Sequence, residues 1–308
     1  MVSLSSANRA LKDVYLGIIA NQLNCNTDPL LEKIKQTSND IYGKEIIKVI
    51  HVNGKMLTLK EELKNIYASI EISDKAIRCS QNSAGAFVNL INDEIEHLLK
   101  DTQNRLKSSF YTEDTKPDYL PTECVYEPIK LTGLQKIFDT NSETLYGLSR
   151  KDTPEINPVI EHIETFDPIK IQEIIDNNND EVNVIVCSAK VKRDYMQYMS
   201  EHRQNIEIIE CAGGFKCFKF NNSLLMVQAK IADNEIYLLN TEDFKLHQLC
   251  DWRWLEDHNE VVLKQVEAKP VYRATLVKYG DYICEKPYKQ IKVIIGETKW
   301  TKHNYNKK

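Results

Sequence analysis

The sequence predicts an α+β protein in which a domain built around one long helix carries an inserted α/β unit. Apolar residues recur every three to four positions across residues 83–110, which is the spacing of a buried helical stripe. Asn53-Gly54 separates two apolar runs, and this pair is a strong signal for a β-hairpin. Strands and helices then alternate across residues 167–257, as they do in a compact α/β unit.

Composition limits the classes of protein to which the chain can belong. Its 308 residues carry a formal net charge of −5, with 42% hydrophobic and 28% charged residues. These values are typical of a globular protein and argue against a dedicated nucleic-acid binder, which would show a basic balance. The eight cysteines are scattered without CxxC spacing, so we expect reduced thiols. We expect neither a signal peptide nor a transmembrane helix, because the sequence lacks their apolar segments.

Residues 1–40 form an arm that cannot bury its own apolar side chains. Val14 and Tyr15 belong to a short helical stretch, and a polar break that includes Pro29 follows it. Two alternatives are open: the arm docks on its own body, or it docks on a neighbouring chain.

Residues 41–63 form the predicted hairpin, with Asn53 and Gly54 at its turn. Both central positions of a type I′ turn need a positive φ, which this pair adopts readily. The strands carry apolar residues on both faces, Ile47 and Val49 among them. Because a lone two-stranded ribbon is only marginally stable, we expect the hairpin to lie against another surface.

The long helix, residues 83–110, supports a domain assembled from residues 64–166 and 258–297. Residues 167–257 form the inserted unit, which begins with Asp167-Pro168 as a helix N-cap followed by proline. The tail, residues 298–308, is polar and basic, and we expect it to fray.

Evidence for catalysis in the sequence is weak. Ser188 follows a strand and opens a helix, but it lacks the flanking glycines of a nucleophile elbow. Helix capping accounts for its position. The seven histidines are dispersed, and no His/Cys cluster has zinc spacing. We therefore predict no catalytic residue, no cofactor and no metal site.

The segment around Trp252, Arg253 and Trp254 is the most unusual in composition. If it is extended, the two tryptophans share one face. Core packing is one explanation. An interface is the other, because aromatic residues and arginine are enriched at binding hot spots.

Six separate blocks of the sequence stand out: residues 8–17, 63–80, 83–90, 145–148, 240–256 and 272–284. These blocks resemble the major capsid proteins of tailed bacteriophages, especially those from phages and prophages of low-G/C Gram-positive bacteria.

The resemblance implies the Hong Kong 97-type capsid fold and a name for each segment. Residues 1–40 would be the N-terminal arm, and residues 41–63 the extended loop. Residues 83–110 would be the spine helix of a peripheral domain, which comprises residues 64–166 and 258–297. Residues 167–257 would be the axial domain.

The same resemblance implies a structural function rather than an enzymatic one. The chain would assemble into pentamers and hexamers of an icosahedral head that encloses double-stranded DNA without sequence-specific binding. Portal and scaffold proteins would be partners, no membrane would be involved, and the virion would be assembled in the cytoplasm of the host bacterium. The residues that we expect at assembly contacts are Val14, Tyr15, Ile47, Val49, Asn53, Gly54, Met56, Trp252, Arg253 and Trp254.

Two alternative functions are also compatible with the sequence. An encapsulin-like compartment or a domesticated prophage shell would use the same fold. A soluble α/β enzyme with an aromatic pocket near Trp252 would belong to a different class.

Overall fold

The computed structural model describes residues 4–25, 28–80, 83–112, 128–178, 181–202, 205–210 and 216–296. These residues fold as two compact units. The first unit comprises residues 1–153 and 242–285, and the second unit comprises residues 154–241 and 286–308. The predicted tail, residues 298–308, lies outside the described residues.

The first unit is organised around its longest helix, α5. Its described helices are α1 (Leu4–Ala10), α2 (Leu16–Asn24), α3 (Pro29–Lys33), α4 (Asp74–Ser80), α5 (Ala84–Tyr111) and α6 (Leu134–Phe138). Ser83 caps α5, because its Oγ accepts a hydrogen bond from the amide of Ala86 at 3.3 Å. The stripe that α5 buries consists of Phe87, Ile91, Ile95, Leu98, Leu99, Leu106 and Phe110. The predicted helix is confirmed to within one residue at each end.

A π-helical turn, Leu11–Tyr15, joins α1 to α2. Residues 4–24 therefore form one nearly continuous helix, which we call the arm helix. The side that it buries carries Ala7, Leu11, Ile19 and Leu23.

Two sheets make up most of the β-structure in the first unit. Its described strands are β1 (Lys35–Thr37), β2 (Ile41–Tyr42), β3 (Glu45–Val52), β4 (Lys55–Glu62), β5 (Lys64–Ser73), β6 (Thr144–Leu145), β7 (Leu148–Ser149), β14 (Phe244–Trp254), β15 (Lys264–Gln265) and β16 (Val271–Cys284). Among the described residues, β16 pairs antiparallel with β5, β14 and β15, and β1 runs parallel to β14. The second sheet has the order β2-β3-β4.

The predicted hairpin is formed by β3 and β4. Asn53 and Gly54 both have positive φ, at 50° and 78°, as a type I′ turn requires. The two strands pair in register from Glu45 opposite Glu62 to Val52 opposite Lys55.

The second unit is a sheet with two helices packed on it. Its described strands are β8 (Val159–Ile163), β9 (Val184–Cys187), β10 (Ile208–Glu210), β11 (Lys216–Phe220), β12 (Ser223–Val227), β13 (Glu235–Leu239) and β17 (Ile291–Ile295), and its helices are α7 (Pro168–Asn177) and α8 (Ala189–Glu201). Within the described residues the sheet order is β10-β11-β12-β9-β13-β17-β8. Asp167 caps α7 through the amide of Ile169 at 2.9 Å, as predicted.

The division into units differs from the predicted one in three places. Residues 154–166, predicted in the long-helix domain, belong to the second unit, where β8 pairs with β17. Residues 244–254, predicted within the inserted unit, belong to the first unit because they pair with β16. Residues 291–295, predicted to return to the long-helix domain, belong to the second unit because they pair with β13 and β8. Spacing along the sequence identifies such strands but does not reveal which neighbour completes their hydrogen bonds.

Candidate assembly surfaces

The outer face of the hairpin exposes apolar side chains among charged ones, because the register places Glu45, Lys60 and Glu62 on the same face. Alternation along β3 and β4 turns Ile46, Ile50, Val52 and Leu59 inward, where they are buried. On the opposite face Val49 is 47% exposed and Met56 is 69% exposed, with Ile47 half-buried beside them. We call this surface, together with Tyr42, the outer hairpin face. The predicted contacts Ile47, Val49 and Met56 therefore share one surface, and Asn53 and Gly54 lie exposed at its tip.

Tyr42 was missed by the analysis of the sequence. It pairs with Glu45 across β2 and β3, so it shares the outer hairpin face and is 65% exposed. Gly43, with a φ of 65°, makes the tight turn between these strands. A glycine between two apolar runs was the signal that could have extended the sheet by one strand.

Ion pairs attach β3 to the rest of the first unit. The Lys48 ammonium lies 2.9 Å from Asp40 and 3.4 Å from Glu285. The hydrogen bond to Asp40 raises the pKa of Lys48. Glu285 also accepts from Lys245 at 2.7 Å. Lys48, the charged residue on the inward face of β3, is thus paired. These ion pairs fix the base of the hairpin.

The neighbouring strand β4 is attached in the same way. Glu61 accepts from Lys136 at 3.1 Å and from Lys64 at 3.0 Å. Lys136 also donates to Thr132 Oγ1 at 3.1 Å. This second cluster holds the other strand of the hairpin, so both strands are fixed at the base and free at the outer face.

Asp281 is a buried carboxyl next to this second cluster. It accepts hydrogen bonds from the Thr132 amide at 2.6 Å, the Thr132 hydroxyl at 2.9 Å and its neighbour Tyr282 at 2.8 Å. Burial raises the pKa of Asp281 to about 7. Its side chain is fully enclosed, so it ties β16 to residue 132 and cannot contact a substrate.

His247 is buried as well. One ring nitrogen lies 2.9 Å from the carbonyl oxygen of Asn39, and burial lowers the pKa of His247. Burial favours the neutral ring, and the contact with Asn39 fastens β14 to the segment before β2.

In the single chain, the arm helix lies on its own unit. Tyr15 is half-buried and donates its hydroxyl to Asn92 Oδ1 of α5 at 2.8 Å. Val14 is 56% exposed, and Ile18, one turn further, is 46% exposed. The predicted contact residue Val14 is therefore on a free surface, and Tyr15 lies at its edge.

Trp252 and Trp254 require a correction, because the structure buries them in their own unit. Trp252 is 5% exposed and Trp254 is 4% exposed. The Trp254 indole N–H donates to the carbonyl oxygen of Leu11 at 2.9 Å, and the Lys278 ammonium lies 5.5 Å from the Trp252 ring. Core packing, not an exposed interface or an open pocket, explains both rings. Arg253 points to the other face of β14 and is exposed.

Ser188 has the capping role that its sequence context favoured. Its Oγ accepts from the amides of Lys190 at 3.2 Å and Val191 at 3.4 Å at the start of α8. Among the described residues, no group of three or more His, Cys, Asp or Glu side chains could hold a metal ion.

Within the described part of the chain, each helix is too short or too polar to cross a membrane.

Comparison with known proteins identifies the fold. No family model and no curated protein matches this sequence. Among solved structures, the capsid asymmetric unit of cyanophage A-1(L) matches with a TM-score of 0.61 over 93% of both chains, at 11% identity. The chain has the tailed-phage capsid fold.

Two further solved structures share this Hong Kong 97-type fold. The SrpI encapsulin of Synechococcus elongatus PCC 7942 matches with a TM-score of 0.53 over 88% of both chains, at 8% identity. The capsid of an empty GTA particle matches with a TM-score of 0.53 over 88% of this chain and 91% of that chain, at 12% identity. The fold class predicted from the sequence is confirmed.

Proposed function

We propose that this chain is a major capsid protein that assembles into the pentamers and hexamers of an icosahedral shell. The observation that carries the proposal is the outer hairpin face. Tyr42, Val49 and Met56 are exposed apolar side chains, interspersed with charged ones, on a ribbon whose base is fixed by ion pairs. Exposed apolar surfaces of this kind mark protein–protein contacts, and many identical copies can cover such surfaces on one another.

The segments take the following roles in this proposal. The arm and the extended loop, residues 1–40 and 41–63, contact neighbouring copies through Val14, Tyr15 and the outer hairpin face. The first unit acts as the peripheral domain and the second unit as the axial domain, which points towards the five-fold and six-fold vertices. Arg253, exposed on β14, is a further contact.

The shell encloses double-stranded DNA in a virion assembled in the host cytoplasm, with portal and scaffold proteins as partners. The cyanophage capsid supports this form of the proposal by its fold. A net charge of −5 fits a wall that holds DNA without sequence-specific binding. The chain has a structural, not an enzymatic, role.

The test is the paired substitution Val49→Asp and Met56→Asp. Two carboxylates on the outer hairpin face place unpaired charge in the contact, so we expect particle yield in negative-stain electron microscopy to fall at least tenfold. The matched control is Ile169→Asp with Met196→Asp, which changes exposed apolar residues of the second unit. Wild-type particle yield from the hairpin variant, with an unchanged unfolding midpoint, would contradict the proposal.

An encapsulin-like compartment is the second candidate, and the match to the SrpI encapsulin favours it. The contents of purified particles separate the two candidates. Double-stranded DNA protected from nuclease indicates a phage or prophage head, whereas a stoichiometric protein cargo indicates a compartment.

A further inference from the structure

A groove of about 540 Å³ lies beside α8 in the second unit. One face of α8 forms part of its lining, because Asp194, Tyr198 and Glu201 follow one another at helical spacing. The rest of the lining includes residues 164–166, residues 233–234 and the end of β17, at Ile295 and Gly296. All of these residues belong to the second unit. We call this concave surface the α8 groove.

Carboxylates dominate the charge of the α8 groove. Four side chains contribute them: Glu164, Asp194, Glu201 and Asp233. Lys190 is the one cationic residue among the described residues that line the groove. Within the described part of the chain none of the four carboxylates forms an ion pair, and Glu201 accepts a hydrogen bond from Gln197 at 2.8 Å. A concave surface lined by one sign of charge attracts groups of the opposite sign.

Apolar surface lies beside these carboxylates. Phe166, Tyr198 and Ile295 line the same groove, and all three are half-buried. Phe166 and Ile295 also pack against the core of the second unit, and the Tyr198 ring stacks on His202 with their centroids 4.1 Å apart. These contacts fix the apolar side chains in place. The α8 groove therefore offers a single occupant both an apolar and a negatively charged surface.

The tail, residues 298–308, has the complementary chemistry. It contains four lysines and no acidic side chain: Lys299, Lys302, Lys307 and Lys308. Trp300 lies between the first two lysines, and Tyr305 follows them. A polar segment of this kind becomes ordered where another surface ties it down. An aromatic ring flanked by lysines matches a surface that is apolar and acidic at once.

The tail also begins beside the α8 groove. Gly296 lines the groove, and Glu297 alone separates it from the tail. Trp300 is four residues beyond Gly296, a distance that an extended chain spans in at most about 14 Å. Asp194 and Glu201 are about 10 Å apart along the axis of α8, at 1.5 Å per residue. The first part of the tail is therefore long enough to follow this face of α8.

We propose that the tail binds in the α8 groove of its own chain, with Trp300 against Phe166 and Tyr198 and its lysines beside the groove carboxylates. A connection of a few residues gives an effective concentration in the millimolar range. Even a weak affinity is then sufficient, and the groove of the same chain is favoured over that of another copy. The proposal concerns the second unit alone, so it stands or falls independently of shell assembly.

The test measures how strongly acrylamide quenches the fluorescence of Trp300 in the full chain. The other two tryptophans, Trp252 and Trp254, are buried, and a Trp300→Phe sample gives their contribution for subtraction. Asp194→Lys with Glu201→Lys replaces two groove carboxylates by cations that repel the tail. We expect this groove variant to raise the quenching constant of Trp300 at least threefold. Acrylamide is uncharged, so the substitutions do not alter its access through electrostatics.

The matched control reverses two charges of the second unit outside the groove. Glu173→Lys with Asp176→Lys changes exposed carboxylates of α7, and we expect its quenching constant to equal that of the wild type. Sedimentation velocity ensures that all samples are compared in the same assembly state. A rise in the control as large as that in the groove variant would show a general effect of charge and overturn the proposal.

A compensating variant separates binding from misfolding. Lys299→Glu with Lys302→Glu changes only the tail, and we expect it to raise the quenching constant at least threefold by itself. Combined with the groove variant it restores opposite charges, so quenching should return to within twofold of the wild type. A wild-type Trp300 that is quenched as strongly as in both variants overturns the proposal. Protection that is lost on dilution also overturns it, because the groove would then hold the tail of another copy.

Discussion

Gly133 lies against the main chain of α5, where no side chain fits. A Cβ at this position would lie 2.0 Å from the Phe110 carbonyl oxygen and 2.5 Å from Phe110 Cα. Because the obstacle is backbone, rotating a side chain cannot relieve the clash. Its φ of −96° is accessible to any residue. Glycine is therefore needed here for close packing and not for its backbone conformation.

We expect Gly133→Ala to lower the free energy of unfolding by about 3 kcal/mol or more, as overpacking of a rigid site does. The matched control is Gly85→Ala in α5, where a Cβ meets no atom within 4 Å. Alanine is a better helix former than glycine, so this variant should be neutral or slightly stabilising. Urea unfolding of both variants checks the expectation, and equal losses would refute it.

Asp281 makes the stability of the first unit depend on pH. Burial raises the pKa of its carboxyl from 3.8 to about 7. Between these pH values the native state keeps a proton that the unfolded chain releases. Stability therefore falls as pH rises from about 4 to 7 and then levels off.

We expect Asp281→Asn, which does not titrate, to reduce the loss of unfolding free energy between pH 5 and pH 8 by about 2 kcal/mol. Thr132→Val is the matched control: it removes one hydrogen bond but leaves the buried carboxyl, so the pH dependence should persist. Chemical unfolding at both pH values measures the difference. An unchanged pH dependence in Asp281→Asn would assign the effect to another group.

The hairpin shows how one element separates a fixed face from a free one. Its inner residues are buried and its inward charges, Lys48 and Glu61, are paired. Its outer hairpin face leaves Tyr42, Val49 and Met56 exposed among charged side chains. The sequence predicted the hairpin and its turn, because both depend on local chemistry. It did not reveal which face is covered, because apolar residues occur on both.

We expect Asn53→Ala with Gly54→Ala to leave the chain folded while reducing particle yield severalfold. Alanine resists the left-handed conformation by about 1 kcal/mol per residue, so the tip of the outer hairpin face should lose its geometry. Asn221→Ala is a matched turn variant, since Asn221 also has a positive φ, at 49°, between two strands of the second unit. Electron microscopy and thermal unfolding together test this, and full particle yield from the double variant would count against it.

At the scale of the whole molecule, both units are completed by strands distant in sequence. β5 pairs with β16 along ten residues, although about two hundred residues separate them. The described strand β17 enters the second unit from beyond residues 242–285, which belong to the first unit. Long-range pairing of this kind is the reason why the observed domain boundaries differ from the predicted ones.

We expect the assembly of the full chain to depend cooperatively on protein concentration. Each copy contributes several weak contacts, through the arm helix and the outer hairpin face, and multiplicity makes their sum strong. Sedimentation velocity over a dilution series should show a large species that appears above a threshold protein concentration. Above this threshold, the concentration of the monomer should stay constant. If the monomer were the sole species at high protein concentration, the proposed shell assembly would be refuted.

The sequence by itself determined the local structure of this protein: the capped helix α5, the Asn53-Gly54 hairpin and the caps at Asp167 and Ser188. Each follows from residue type and spacing within a few turns of chain. The resemblance of separate blocks also gave the fold class, which the solved structures confirm. Tertiary structure alone decided which apolar residues are covered. Trp252 and Trp254 alternate on β14 as interface residues would, yet β16 and the arm helix bury them, because burial depends on partners that lie far away in sequence.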